Sequence, residues 1–420
     1  MKIIYFHQYF NTPSMSGGTR SYEFARRLVS MGHEVNMITS YRGKKINKYF
    51  ITREKGIKIH WIPIYYSNYL GFGNRIIAFL KFAWFSYFKA KDLSADLIFA
   101  SSTPLTISIP GILISKKKKI PLVFEVRDLW PSVPIALKVL KNYFICYLAK
   151  CLENFVYRYA KAIIVLSPTM KKIIISNNKI SPSKIAVIPN SSDLKEFKYS
   201  SKLEKGFRKK RHWLGTSPLL LYAGTFGKVN NLQYAVNLAF TLNKINSNIK
   251  ILLVGDGIEK NRLIEESKKK GVFQNNIFFE DSAPKYKMRE YFSAATVCAS
   301  FVINVKETWA NSANKFFDAL ASGKPIFLNH GGWMYDIVNY NNLGIATYNE
   351  TILKVAKKLD SFMNNKILIK KSKKKSLAIA KKFFNREILA KNFEHVLVSA
   401  KKSETFNFDN FLIENYKIKF

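Results

Sequence analysis

Residues 1–40 read MKIIYFHQYFNTPSMSGGTRSYEFARRLVSMGHEVNMITS, and their pattern decides the fold class. KIIYF is a short apolar strand. The loop HQYFNTPSMSGG follows and ends in the pair Gly17-Gly18. Beyond it Tyr22, Phe24, Ala25, Leu28 and Val29 recur at the spacing of one helix face. Gly32 stops that helix, and EVNMITS resumes as a strand. Strand, glycine-bearing turn, helix and strand in this order make a βαβ unit, which builds a parallel sheet.

The alternation continues outward. IKIHWIPI, DLIFASS, PLVFEV, AIIVLS and IAVIPN are further strand candidates, and helical patterns lie between most of them. Residues 1–195 are therefore read as one doubly wound domain. KYSSKLEKGFRKKRHWLGTS is charged and irregular, so residues 196–216 are expected to be a linker. A second cycle starts at PLLLYAG and runs through NNLQYAVNLAFTLNKI, IKILLVGDG, IEKNRLIEESKKKG, NIFFED, ATVCASFV and KPIFLN. It predicts a second Rossmann-like domain over 217–398. Residues 399–420 are a tail, expected to pack across a surface. The expected class is α/β, with two doubly wound domains facing a central cleft.

Composition narrows the function classes. At 48% apolar residues the 420-residue chain can build large cores and is not disordered by composition. Cys146, Cys151 and Cys298 form no CxxC and have no histidine at ligand spacing, so no disulfide framework or zinc site is expected and a reducing cytoplasm fits. The start, MKIIYFHQYF, lacks the apolar core of a secretion signal. Residues 97–115 are uncharged, but Pro104, Pro110 and the hydroxyl residues favour strand, loop and helix over a membrane span. The net charge of +40 is spread through both halves without a nucleic-acid-binding signature, so no nucleic-acid partner is expected. Diffuse basicity suits an anionic membrane surface or anionic substrates. RIIAFLKFAWFSYFKAK, residues 75–91, is aromatic and flanked by cations: either an interfacial amphipathic helix or a core helix.

In open parallel sheets, ligands bind beyond the carboxyl ends of the strands. Three glycine turns fall there: Gly17-Gly18, Gly224-Thr225-Phe226-Gly227, and Gly255-Asp256-Gly257. Each alone fits tight packing at least as well as phosphate binding; loops of both domains facing one cleft would favour the ligand. There is no complete GxGxxG and no Walker loop. NSANKFFDALASGKPIFLNHGG places Asn314, Lys315 and Asp318 along one helix, with Lys315 and Asp318 on one face. They form either a surface ion pair or a donor site, in which the cation neutralises a diphosphate and the carboxylate accepts ribose hydroxyls. In FEVRDLWPSVPIALKVLKN the charges Arg127 and Asp128 end an apolar strand. Such a pair either lines a site or is an ion pair capping the strand. His7 ends the first strand and is the other candidate, against the reading of a plain loop histidine.

The segments HQYFNTPSMSGGTRSYEFARRL, FASSTPLTISIP, FEVRDLWPSVPIALKVLKN, VLSPTMKK, VIPNSSDLKEF, LLYAGTFG, LLVGDG and NSANKFFDALASGKPI carry a resemblance. Over about residues 1–398 the chain resembles a family 4 glycosyltransferase of the GT-B fold. It is similar to the branch of bacterial surface-polysaccharide transferases that includes fucosamine transferases. The resemblance implies an enzyme of the hexosyltransferase class, with no cofactor and no metal. A nucleotide-sugar donor, expected to be a UDP-sugar, is held mainly by the second domain; the expected donor residues are Gly224, Thr225, Gly255, Gly257, Asn314, Lys315 and Asp318 there, with Gly17 and Gly18 facing them from the first domain. A polyprenyl-linked acceptor of O-antigen or capsule assembly is held mainly by the first domain, on the inner face of the bacterial plasma membrane. The sugar moves with retention of configuration. The chain has no Asp-x-Asp, so the resemblance implies neutralisation by lysine, arginine and helix ends.

This sequence departs from the family pattern in three places. Many members carry a pair of glutamates before the Gly-x-Pro turn; here Asp318 takes the second position, Ala310 the first, and Glu307 falls three residues early. Many carry Arg and Lys after the first strand of the second domain; GTFGKVNNL has only Lys228, which leaves Lys315 as the expected phosphate cation. Many relatives have His-Asp where this chain has Arg127-Asp128. Arginine stays protonated and cannot be a general base, so it is expected to hold an anion or Asp128 while Asp128 serves acceptor deprotonation or orientation. Two other readings fit the architecture: a non-hydrolysing UDP-sugar epimerase, and a non-catalytic sugar-binding partner of an assembly complex.

Overall fold

A computed structural model of the chain describes residues 1–15, 17–42, 47–66 and 70–404. The first domain is an eight-stranded sheet. Its strands are β1 (Lys2–Phe6), β2 (Glu34–Tyr41), β3 (Phe50–Glu54), β4 (Ile57–Pro63), β5 (Leu97–Ser101), β6 (Leu122–Val126), β7 (Ala162–Val165) and β8 (Ile185–Val187), in the order β3-β4-β2-β1-β5-β6-β7-β8. All pairs are parallel except β3 with β4. Both faces of this sheet are covered, and LIFAS and LVFEV are buried at every position. The β3–β4 hairpin was not legible in the sequence. Its outer strand is mostly exposed, and its two-residue turn uses positive φ at Lys55 and Gly56.

The second domain is a six-stranded parallel sheet of β9 (Leu219–Ala223), β10 (Lys250–Val254), β11 (Ile277–Glu280), β12 (Val297–Ser300), β13 (Ile326–Leu328) and β14 (Gly344–Ala346), in the order β11-β10-β9-β12-β13-β14. The strand order reverses direction between β1 and β5 and between β9 and β12. The crevices at those two points are where ligands settle in open sheets.

Two boundaries differ from the sequence reading. The expected linker, 196–216, contains the helix Ser201–Lys209, capped by Ser200; its Phe207 packs edge-on to Tyr291 of the second domain. The end of the expected second domain belongs in space to the first. The helix Arg386–Lys402 puts Phe393 against Phe24 and Phe99, with ring centroids 4.7 and 4.9 Å apart. Lys401 pairs with Asp96 at 3.3 Å. An amphipathic pattern states that a helix packs, not which domain it packs on. The tail beyond residue 404 lies outside the described residues. No helix among the described residues is long and apolar enough to cross a membrane.

Candidate functional site

A cleft of about 540 Å³ lies between the two sheets. Gly17, Gly18, Thr19, Arg20 and Arg42 line it from the first domain. Gly224, Thr225, Gly255, Gly257, Asn314, Lys315 and Asp318 line it from the second. All nine residues expected at the donor site therefore share one cavity. The domains approach closely here: a Cβ at Gly18 would lie 3.0 Å from Asn314 Nδ2 and 4.0 Å from Arg127 Nη2. The Gly255 turn has a different reason for its glycine. Its φ is +150°, and a Cβ would fall 1.9 Å from the Gly224 carbonyl oxygen. That glycine serves loop packing, while its backbone still faces the cleft.

Two helices open at the cavity. Arg20–Ser30 starts after Thr19 and Asn314–Ala321 after Ala313, and neither start is capped by a side chain. Their leading N–H groups and positive dipole ends favour an anion between them. Lys315 and Asp318 share a helix face, as expected, but are not paired with each other. Lys315 reaches back over the Tyr222 ring, 4.8 Å from its centroid. Burial lowers its ammonium to about 8. Burial raises the Asp318 carboxyl to about 6, against the pull of Ser192, Lys285 and Arg386. Lys228, in contrast, is exposed and lies outside the cleft lining.

Of the three expected catalytic residues, His7 follows β1 while Arg127 and Asp128 follow β6, and the structure brings His7 and Arg127 together but gives Asp128 a different partner. The ion pair between Arg127 and Asp128 considered from the sequence is not made. Arg127 Nη1 instead donates to His7 Nε2 at 2.8 Å. His7 is buried, and its Nδ1 lies 3.3 Å from the Ser101 carbonyl oxygen, which can only accept. The ring is therefore neutral with its proton on Nδ1. Burial first and Arg127 second hold His7 well below the usual histidine range. Exposed Asp128 accepts from Thr103 Oγ1 at 3.0 Å.

Sequence reasoning missed a polar framework under the site. Arg20 is buried and donates Nε and Nη2 to Glu125 Oε1 at 3.0 and 2.8 Å, Nη1 to the Pro189 carbonyl at 2.7 Å, and Nη2 to the Ile188 carbonyl at 2.8 Å. Ser101 Oγ donates to the other Glu125 oxygen at 2.6 Å. A visible signal existed: Glu125 is the one charge inside the apolar strand PLVFEV. Glu23, Asp193 and Glu196 bring carboxylate oxygens within 4.8 Å of one another, as a metal site would. The protein supplies the cation itself: Lys285 Nζ lies 3.3, 3.7 and 3.0 Å from them.

Comparison with known proteins gives the family. The model of Glycosyltransferase Family 4 matches residues 17–196, and that of Glycosyl transferases group 1 matches residues 204–382. No curated protein matches the chain in sequence. A sucrose-phosphate synthase from Thermosynechococcus elongatus superposes with a TM-score of 0.79 at 15% identity, over 96% of this chain and 100% of that one. Anabaena HepE, solved with UDP-glucose, gives 0.72 at 16% identity, over 95% and 100%. WaaG, a glycosyltransferase involved in lipopolysaccharide biosynthesis, gives 0.70 at 14% identity, over 94% and 99%. At these identities the structural likeness shows the fold.

Proposed function

The chain is a glycosyltransferase of the two-domain GT-B type, and from that premise we propose that it moves a sugar from UDP to a polyprenyl-linked acceptor, with retention of configuration, in bacterial surface-polysaccharide assembly. The observation that carries the donor half is the placing of Lys315 and Asp318 opposite Gly17-Gly18, with two uncapped helix starts at one cavity. The diphosphate lies between Gly18 and Lys315, and the chain's own cations neutralise it. Asp318 accepts the ribose hydroxyls. Arg127, held by His7, stays cationic and steadies the phosphates of leaving group or acceptor. His7 positions that guanidinium and leaves proton transfer to Asp128. The fucosamine-transferase branch remains the expected subgroup. The outer face of the helix Phe72–Ala90 supports a lipid-linked acceptor and a place on the inner face of the plasma membrane. Ile77, Leu80, Trp84, Phe85 and Phe88 are exposed on it. Transfer from labelled UDP-sugars to isolated lipid acceptors tests the proposal. Conversion of donor without acceptor would instead show an epimerase.

Lys315→Ala should weaken UDP binding by about 1.5–3 kcal/mol, the scale of a hydrogen bond to a charged group. In the unbound protein Lys315 loses its proton near pH 8. Binding of the anion must restore it, so wild-type affinity should fall as pH rises through 8, by up to about tenfold per unit. The Lys315→Ala protein should lack that slope. Calorimetry across pH checks both; unchanged affinity in a folded variant removes Lys315 from the phosphate site.

Asp318→Asn should lose affinity for UDP by about tenfold while free diphosphate binds nearly as before, since one charge-assisted hydrogen bond to ribose is weakened. Equal losses for the two ligands would show that the carboxylate does not read the ribose.

A further inference from the structure

A second apolar surface is linked to the helix Phe72–Ala90 through the helix Ser108–Lys118, which touches both. Val139, Tyr143, Phe144, Ile145, Tyr147 and Leu148 are all exposed, Tyr143 at 86% and Phe144 at 65%. They belong to the helix Tyr143–Tyr159 and the turn before it. Only the later part of that helix is buried, through Glu153, Val156 and Tyr157. Its first turns stand off the domain. They are not frayed, because the Asn142 side chain accepts the Ile145 N–H at 3.0 Å and fixes the start. Rigid, outward aromatic residues on this scale have no role in a water-facing surface.

Charge identifies the occupant. Lys138, Lys141 and Lys150 are exposed around the aromatic residues, and residues 129–152 contain no acidic residue. Residues 72–91 contain none either. The helix Ser108–Lys118 touches both helices and adds exposed Leu113 and Lys116. Lys116 Nζ lies 5.4 Å from the Phe155 ring centroid. Two copies of this face would bring like charges together, whereas an anionic bilayer offers an apolar interior beneath negative headgroups. Topology adds direction. The helix follows β6, whose carboxyl end carries Arg127 and Asp128, so its aromatic turns begin on the cleft side of the sheet.

We infer that residues 138–150 are a membrane-inserting wedge for anionic lipid, which acts with the helix Phe72–Ala90 to hold the Arg127–Asp128 loop at headgroup level. The inference deepens the lipid-linked acceptor reading and rests on it. Buried there, Tyr143, Phe144 and Tyr147 enter the headgroup boundary while the lysines face lipid phosphates.

The test is sedimentation of the full chain with vesicles. Wild type should bind phosphatidylglycerol-containing vesicles far more tightly than phosphatidylcholine alone. The Tyr143→Ser, Phe144→Ser, Tyr147→Ser triple variant should bind at least about tenfold more weakly. Lys138→Glu with Lys141→Glu should erase the preference for the anionic lipid. Thermal shift with UDP and transfer to a tail-truncated, soluble acceptor should be unchanged in the triple variant. Vesicle binding equal to wild type would overturn the wedge. So would a wild-type dimer that the triple variant dissolves, or lost transfer to the soluble acceptor, which would put these residues in the acceptor site. Wild type that fails to bind anionic vesicles yet transfers to the soluble acceptor sinks the wedge alone. Vesicle binding without transfer to any acceptor leaves the wedge standing and sinks the transferase reading.

Discussion

Asp128→Asn should leave UDP binding nearly intact and cut sugar transfer by a factor of about 10²–10⁴, the usual cost of removing a positioned acid–base group. Asparagine keeps the shape of the side chain and removes its charge. The hydrogen bond from Thr103 survives the change, because the amide oxygen still accepts. Asp128 is exposed and is not paired with Arg127, so removing its charge should cost the fold little. Melting temperature with and without UDP should therefore match wild type. The transfer rate per folded molecule is the deciding measurement. A stable, UDP-binding variant with wild-type turnover would take Asp128 out of the mechanism and direct attention to His7. His7→Gln should then be compared with it, since glutamine can still accept from Arg127 but cannot shuttle a proton.

Arg20→Met should destabilise the protein by about 3–5 kcal/mol, as expected when one partner of a buried ion pair is removed. The Arg20 and Glu125 side chains are 2% and 0% exposed, so neither charge has water to fall back on. Methionine fills similar space but leaves the Glu125 carboxylate with only Ser101, and the Ile188 and Pro189 carbonyls lose their donor. Set against a typical domain stability of about 5–15 kcal/mol, that loss is large. Adding Glu125→Gln should recover part of it, because the orphaned charge disappears. Urea unfolding measures both. A loss under about 1 kcal/mol in the single variant, or no recovery in the double, would mean the pair is hydrated and not a keystone. The same guanidinium joins the helix that opens at the cleft to the segment that meets the second domain. There Asn190 N–H donates to Ser312 Oγ at 3.1 Å. Loss of Arg20 should therefore also weaken UDP binding, through the placing of Gly17-Gly18.

The sequence alone determined the features that depend on local chemistry. Alternating strands and amphipathic helices placed two doubly wound domains, and every strand of the first sheet but β3 stood out as an apolar run. Glycine turns after β1, β9 and β10, together with the Asn314–Asp318 stretch, marked residues that line the cleft, because ligands in open parallel sheets settle beyond the carboxyl ends of the strands. The tertiary structure alone decided the partners. Arg127 meets His7, 120 positions away, and not its neighbour Asp128. Glu125 meets Arg20, 105 positions away. Lys285 fills a carboxylate cluster that spacing could not reveal, and the helix Arg386–Lys402 returns to the first domain. Tyr143 and Phe144 are large apolar side chains, yet they face outward. The reason is physical: periodicity and turn geometry are set within a few residues, whereas a side chain's partner and exposure are set by strand order and domain approach, which bring distant segments together.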